Sequence, residues 1–332
     1  MSAAATDATA GTGVATSPSP ARLRVVFMGT PAYALGSLDA LAASPSVEVA
    51  LVVTRPDAVS RRGSRLVPSE VKARALELGL PVLETKTLRD PAVQERLRAE
   101  LPDVVCVTAF GAIIPDEVLA IPRLGSLNVH ASLLPRWRGA APMQRALLAG
   151  DERLGYSVMR VDHGLDTGPW CRQGSVEVAG RTYAELSPEL SRLGGEALAE
   201  VLEAWARGEA PRWVEQDEAR ATYAAKLDKA ELALSPELAA AQNARRVQAS
   251  SDECPARCVV AGRALRVLSA QVATAQAGVA RGEVAVTRGR VLLGCADGAL
   301  ELTTVRPDGK RAMDAASFAA GLHGADLAWS AL

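Results

Sequence analysis

An excess of charge of either sign is missing from this chain of 332 residues: 37 Lys and Arg face 38 Asp and Glu, a formal net of −1. A protein that holds nucleic acid by bulk electrostatics carries a large positive excess, so any such contact here must be local. Cysteine is scarce. Cys106, Cys171, Cys254, Cys258 and Cys295 are scattered and odd in number, which excludes a disulfide framework. Cys254 and Cys258 stand close together, but a structural zinc site takes four ligands and neither a second pair nor a nearby histidine supplies them, so no metal is expected. Long apolar runs are absent too: none approaches the ~18–20 residues that span a bilayer, and no membrane contact is expected. Residues 1–22 are dominated by Ala, Thr, Ser, Gly and Pro and lack the apolar core of a secretory signal. They read as a disordered leader, with a cytoplasmic, monomeric protein behind it.

What is present is ordinary for a soluble globular chain, with 48% hydrophobic and 23% charged residues. At ~100–200 residues per domain, two domains are the starting expectation. Arg24–Met28 (RVVFM) reads as a buried strand, followed by a turn, a helical pattern through Leu35, Leu38 and Leu41, and a second buried strand at Val47–Thr54. Strand, helix and parallel strand open a Rossmann-like α/β sheet. The turn Met28–Pro31 holds one glycine and no G-x-G-x-x-G, so the dinucleotide fingerprint is missing. Further strands are predicted at Asp103–Thr108, Leu127–His130 and Tyr156–Asp162, with short helices between them and a long helix over Thr182–Arg207. Residues 208–240 are polar and mixed and read as a linker. Beyond them, short alternating segments at Ala264–Val272, Gly282–Val286, Val291–Leu293 and Ala299–Val305 predict a small antiparallel, OB-like β-barrel. The expected division is therefore a leader over 1–22, a catalytic domain over 23–207, a linker over 208–240 and a barrel domain over 241–332.

The informative stretch is LNVHASLLPRWRGAAPMQRALLAG, residues 127–150. Asn128 and His130 are two apart at a strand end, so alternation puts both on one face, and open α/β sheets bind ligands beyond the carboxyl ends of their strands. A lone strand histidine is ordinarily a satisfied core residue; the adjacent Asn128 and the Pro-, Arg- and Gly-rich loop after it favour a functional one. Asp166 lies in DHGLDTGP, a loop whose glycines let backbone approach a ligand, although Asp-Thr-Gly is also plain turn chemistry. His163 reads as a loop residue. An Asn amide can donate to an oxyanion, a His can relay a proton and an Asp can orient the ring. With no Ser or Cys nucleophile beside them, direct acyl transfer to an amine fits better than a covalent acyl-enzyme.

Asn128-x-His130, then Ser132-Leu133-Leu134-Pro135, with Asp166 downstream in LDTG, resembles the folate-dependent formyltransferases. That pattern is shared by relatives acting on glycinamide ribonucleotide, on sugar nucleotides and on formyltetrahydrofolate. Other segments are similar to the branch that formylates methionyl initiator tRNA: FMGTP at Phe27–Pro31, the Arg-rich loop before Val67–Ser69, Pro122–Asp151 and TYAAKL at Thr222–Leu227. The resemblance runs from about Leu23 to Leu322. It implies that 10-formyltetrahydrofolate donates its formyl group to the methionyl amine and leaves as tetrahydrofolate. It implies Asn128, His130 and Asp166 as catalytic residues and Ser132, Leu133, Leu134 and Pro135 as the folate-contacting loop. Phe110, Gly111, Ile113 and Ile114, an apolar loop after a strand, would line the pterin pocket. Arg61, Arg62, Arg65 and Lys226 would meet the tRNA. Two departures stand out: Arg61 replaces a more usual glycine, and LSPELAAAQNARRVQASSDECPAR (234–257) lacks the family's usual aspartate–tryptophan pair near Ser235.

The alternatives are a sugar-nucleotide or small-amine formyltransferase, a nicotinamide-dependent oxidoreductase and an RNA-binding protein without catalysis. Charge bears on the choice. Residues 55–74 carry a net +4, and Arg257–Arg311 a net +5. The near-zero total is a sum of patches, and two local basic regions favour a nucleic-acid substrate.

Overall fold

In the computed structural model, residues 22–59, 66–274, 278–322 and 327–332 are described. Their first sheet has seven strands. From one edge these are Trp170–Glu177, Arg153–Arg160, Ser126–His130, Val104–Thr108, Leu23–Gly29, Val47–Thr54 and Val82–Glu84. The last five are parallel to one another, and Arg153–Arg160 pairs antiparallel with both of its neighbours. The central strands are near-continuous apolar runs because both faces are covered. Val25 and Phe27 enter one core with Leu38, Leu41, Leu198 and Leu202; Val26 and Met28 enter the other with Leu88, Val93, Leu97 and Phe110.

The long helix Tyr183–Ala206 starts at a capping box, in which the Thr182 N–H donates to the Glu185 carboxylate (2.8 Å). It crosses the helix Leu35–Ala43 at very close range. Ser191 Oγ accepts from the Gly36 N–H (3.0 Å) and donates to the Tyr33 carbonyl (2.7 Å). A Cβ on Gly195 would lie 2.1 Å from the Gly36 carbonyl oxygen, so the crossing requires glycine there.

The second sheet runs Val284–Thr287, Arg290–Gly294, Ala299–Pro307, Arg263–Val272, Arg257–Val260 and Trp329–Ser330. A bridge between Glu283 and Ala328 brings its two edges together, giving a nearly closed antiparallel barrel. Helices Ala240–Gln248 and Ala315–Ala319 contribute Ala240, Ala244, Val247 and Phe318 to its core. The two-layer plan, parallel α/β followed by an OB-like barrel, is the one expected. Unexpected are the strand Trp170–Glu177, half-buried and interrupted by Gly174, and the helix Ala240–Gln248. That helix buries Ala240, Asn243, Ala244 and Val247, a helical stripe of small and polar residues that hydrophobicity alone does not flag. Near the departure from the family pattern, Asn243 makes the tie: it accepts from the Ser235 N–H (3.1 Å) and donates to the Ser235 carbonyl (2.9 Å). Residues 208–240 are docked rather than loose, with Leu227, Leu232 and Leu234 buried and Tyr223–Ala224 paired with Arg138–Gly139.

Two outcomes follow for stability. Gly195→Ala forces the two helices apart and should cost about 1–3 kcal/mol in urea unfolding; an unchanged midpoint would contradict the crossing. In the barrel, Glu301 accepts two bonds from Arg290 (2.6 Å each) and one from Gln271 (3.2 Å), and Arg290 holds its carboxyl below the ordinary glutamate range. A folded value below the unfolded one gives stability that is complete above the unfolded value and is lost as pH falls through the folded one. Glu301→Gln should therefore flatten the acid limb of an unfolding-midpoint-versus-pH curve.

Candidate active site

Ser126–His130 lies between the parallel strand Val104–Thr108 and the antiparallel strand Arg153–Arg160. Alternation turns Asn128 and His130 toward a cleft of about 940 Å³, which Asp166 also lines. His130 is 6% exposed. Its Nε2 lies 2.9 Å from the Trp137 carbonyl. A carbonyl can only accept, so Nε2 carries the hydrogen and Nδ1 is the nitrogen able to take up a proton. Nδ1 stands 3.6 Å from Asp166 Oδ2, beyond a direct hydrogen bond.

Asp166 is fixed from two sides. Oδ2 accepts from the Gly139 N–H (2.8 Å), and the Gln216 side-chain amide donates to the Asp166 carbonyl (2.8 Å) and the Gly168 carbonyl (2.7 Å). Its backbone is left-handed, with φ +54°, a conformation non-glycine residues adopt only where surroundings hold it. Ala109 (φ +47°) and Trp137 (φ +62°) are likewise left-handed beside the same cleft.

Phe110, Gly111, Ile113 and Ile114 line the cleft as expected from their place after a strand end, and Ile113 is 76% exposed. Tyr33, Met143 and Tyr183 line it as well; the sequence marks them only as apolar helix-start residues. His163, read as a loop residue, also lines the cleft and sits 2.7 Å from Asp116 Oδ1. None of Ser132, Leu133, Leu134 and Pro135 lines the cavity. Ser132 Oγ donates to the Arg136 carbonyl (2.6 Å), and Ser157, fully buried, donates to the Ser132 carbonyl (2.6 Å) while accepting from the Leu134 N–H (3.1 Å). The loop spends its polar groups on bracing the strand end. Among the described residues no group of His, Cys, Asp and Glu side chains is placed to hold a metal. Cys258 is buried in the barrel, which pushes its thiol up to about 12.

Residues 22–202 match the formyl transferase family, and residues 226–323 match the formyl transferase C-terminal domain. A methionyl-tRNA formyltransferase of Methylococcus capsulatus is 41% identical over 297 residues, covering 89% of this chain and 96% of that protein. The chain belongs to the methionyl-tRNA formyltransferase family. Among solved structures, WlaRD, a sugar 3N-formyl transferase, is similar with a TM-score of 0.63 at 15% identity, over 87% of this chain and 99% of that one. HypX from Aquifex aeolicus in complex with tetrahydrofolic acid gives a TM-score of 0.59 at 18% identity, over 92% of this chain and 48% of that one. The chain thus spans about half the length of HypX. At such identities these two likenesses show the fold alone.

Of the residues that the likeness to methionyl-tRNA formyltransferases assigns to tRNA, Arg61, Arg62 and Arg65 lie outside the described residues, and Lys226 is exposed. Neighbouring charge is partly spent. Lys72 pairs with Asp57 (2.8 Å) and Glu84 (2.6 Å), and Arg74 with Asp39 (2.7 Å) and Glu77 (3.0 Å). On the barrel, Arg257, Arg266, Arg281, Arg290 and Arg306 each have an acid partner.

The hydroxyls near the cleft separate into used and unused. Ser157→Ala strands the buried Leu134 N–H and should cost about 1–3 kcal/mol in urea unfolding. Tyr33 Oη is buried with no hydrogen-bond partner, so Tyr33→Phe should leave stability unchanged or raise it. Equal losses in the two variants would contradict this assignment.

Proposed function

We propose that Asn128, His130 and Asp166 carry the reaction of the family in this chain, moving the formyl group of 10-formyltetrahydrofolate onto the α-amino group of methionyl initiator tRNA. The observation that carries the reading is their convergence on one cleft: Asn128 and His130 from a single strand face, and Asp166 from a loop with its carboxylate 3.6 Å from His130 Nδ1. The amine attacks the formyl carbon, and the carbonyl oxygen gains negative charge. The Asn128 amide donates to that oxygen, and His130 adds to the stabilisation once its Nδ1 carries a proton. His130 Nδ1 receives the proton that the attacking amine gives up, and Asp166 stabilises the resulting imidazolium. Collapse breaks the bond between the formyl carbon and N10 of the folate. The proton goes to N10, and tetrahydrofolate and formylmethionyl-tRNA leave. No covalent enzyme intermediate is needed, in keeping with the absence of a Ser or Cys nucleophile from the expected set.

The folate sits against Phe110, Gly111, Ile113 and Ile114, whose apolar surface suits a pterin ring. Ser132–Pro135 acts beneath it as the brace of the strand end. The tRNA is met by the loop of Arg61, Arg62 and Arg65, by Lys226 and by the barrel. A catalytic unit over 23–207, a linker over 208–240, a tRNA-binding unit over 241–332, a cytoplasmic location and a monomeric state go with this reading.

The test is formation of formylmethionyl-tRNA from 10-formyltetrahydrofolate and charged initiator tRNA. His130→Ala and Asn128→Ala should each lower kcat by about 10²–10⁴-fold, with tRNA affinity close to wild type in a filter-binding assay. Retained activity would remove the assigned roles. Absence of initiator-tRNA binding by the wild type would favour a small-amine acceptor instead.

A further inference from the structure

We propose that Gln216 is a positioning residue for Asp166, set in place by the buried Arg138, whose guanidinium is paired with the exposed Glu218. The inference rests on the catalytic reading of Asp166 above. Both N–H groups of the Gln216 amide are used, and its oxygen has a partner. Its nitrogen donates to the Asp166 and Gly168 carbonyls (2.8 and 2.7 Å), and its oxygen accepts from Arg138 Nε (3.0 Å). This pattern fixes the amide orientation, because a carbonyl oxygen cannot face two other carbonyl oxygens. Arg138 is fully buried. The remaining nitrogens of its guanidinium form a two-pronged pair with Glu218, Nη1 to Oε2 (2.9 Å) and Nη2 to Oε1 (2.7 Å).

The same stretch of chain reaches the carboxylate end of Asp166 through the backbone. The Arg138 N–H donates to the Thr222 carbonyl (2.8 Å) and the Ala140 N–H to the Ala224 carbonyl (2.9 Å). Between them lies Gly139, whose N–H holds Asp166 Oδ2 (2.8 Å). Gly139 has φ +117°, and a Cβ there would lie 2.9 Å from the Ala224 oxygen, so only glycine permits this approach. Residues 216–224 therefore grip Asp166 at its backbone and, through Gly139, at its side chain.

A displaced carboxylate impairs proton handling without altering substrate contacts. Gln216→Met, similar in size but unable to hydrogen-bond, should lower kcat about ten- to hundredfold. KM for both 10-formyltetrahydrofolate and methionyl-tRNA should stay within about twofold of wild type. Gln216→Glu should behave alike, since a carboxylate would face two carbonyl oxygens. The decisive measurement is a double-mutant cycle in kcat with Asp166→Asn. If Gln216 acts through Asp166, Gln216→Met causes little further loss in the Asp166→Asn background. Losses that multiply, or a Gln216→Met enzyme with wild-type kcat, overturn the proposal. Should Gln216→Met not fold, Glu218→Gln goes through the same cycle under the same criteria. A wild-type protein that formylates nothing would instead remove the functional reading on which this one rests.

Discussion

Burying a guanidinium costs several kcal/mol unless its partners match it in charge and geometry. Arg138 has no exposed surface, and its match comes from Gln216 and Glu218, about eighty residues further along the chain. The backbone around Arg138 and Gly139 is therefore complete only when residues 216–224 have docked beside it. These residues also lead into the barrel, through the buried Leu227, Leu232 and Leu234. One electrostatic requirement thus links the active-site backbone to the passage between the two halves of the chain. A polypeptide cut before residue 216 would keep the strand bearing His130 but would leave Arg138 without the Gln216 and Glu218 partners of its guanidinium.

The sheet supplies the second constraint. Its inner strands carry apolar residues on both faces, so each is locked in register by two cores at once. A one-residue slip of Ser126–His130 would exchange Asn128 and His130 for Leu127 and Val129 in the cleft. The pairing of His130 opposite Ser157 resists that slip from the neighbouring strand. Ser157 in turn ties down Ser132 and Leu134. The SLLP segment, so prominent in the sequence, fixes the geometry around His130 by bracing. Its side chains are mostly turned away from the cavity, Leu134 into the interior and Leu133 against Gly155.

Legibility followed signal strength. Val47–Thr54 has the bounds the sequence predicts, because it is rich in β-branched residues and almost wholly apolar. The long helix shifted by only one residue at each end, held by Thr182 and released at Gly208. Trp170–Glu177 escaped because it alternates weakly and carries a glycine that makes room for Tyr156. That Asn128, His130 and Asp166 share one cleft was legible from spacing and loop composition. Gln216 was not: a glutamine in a polar stretch has no pattern of its own, and its role exists only through contacts made after folding. Arg138 was in view within RWRG, but nothing local tells a buried arginine from a solvated one.

Charge illustrates the same limit. A count along the chain gives a basic loop and a basic barrel, yet Lys72, Arg74 and five barrel arginines are engaged with carboxylates. A paired surface cation keeps only part of its attraction for a phosphate, because its acid partner repels the same group. Among the described residues of the barrel, Arg263, Arg288, Lys310 and Arg311 have no acid within ion-pair distance. The positive potential offered to a polyanion is thus narrower than the +5 suggests. A surface organised in this way holds bulk RNA weakly, since few counterions are displaced on contact. Affinity for a particular RNA then has to come from fitted contacts at a few cations.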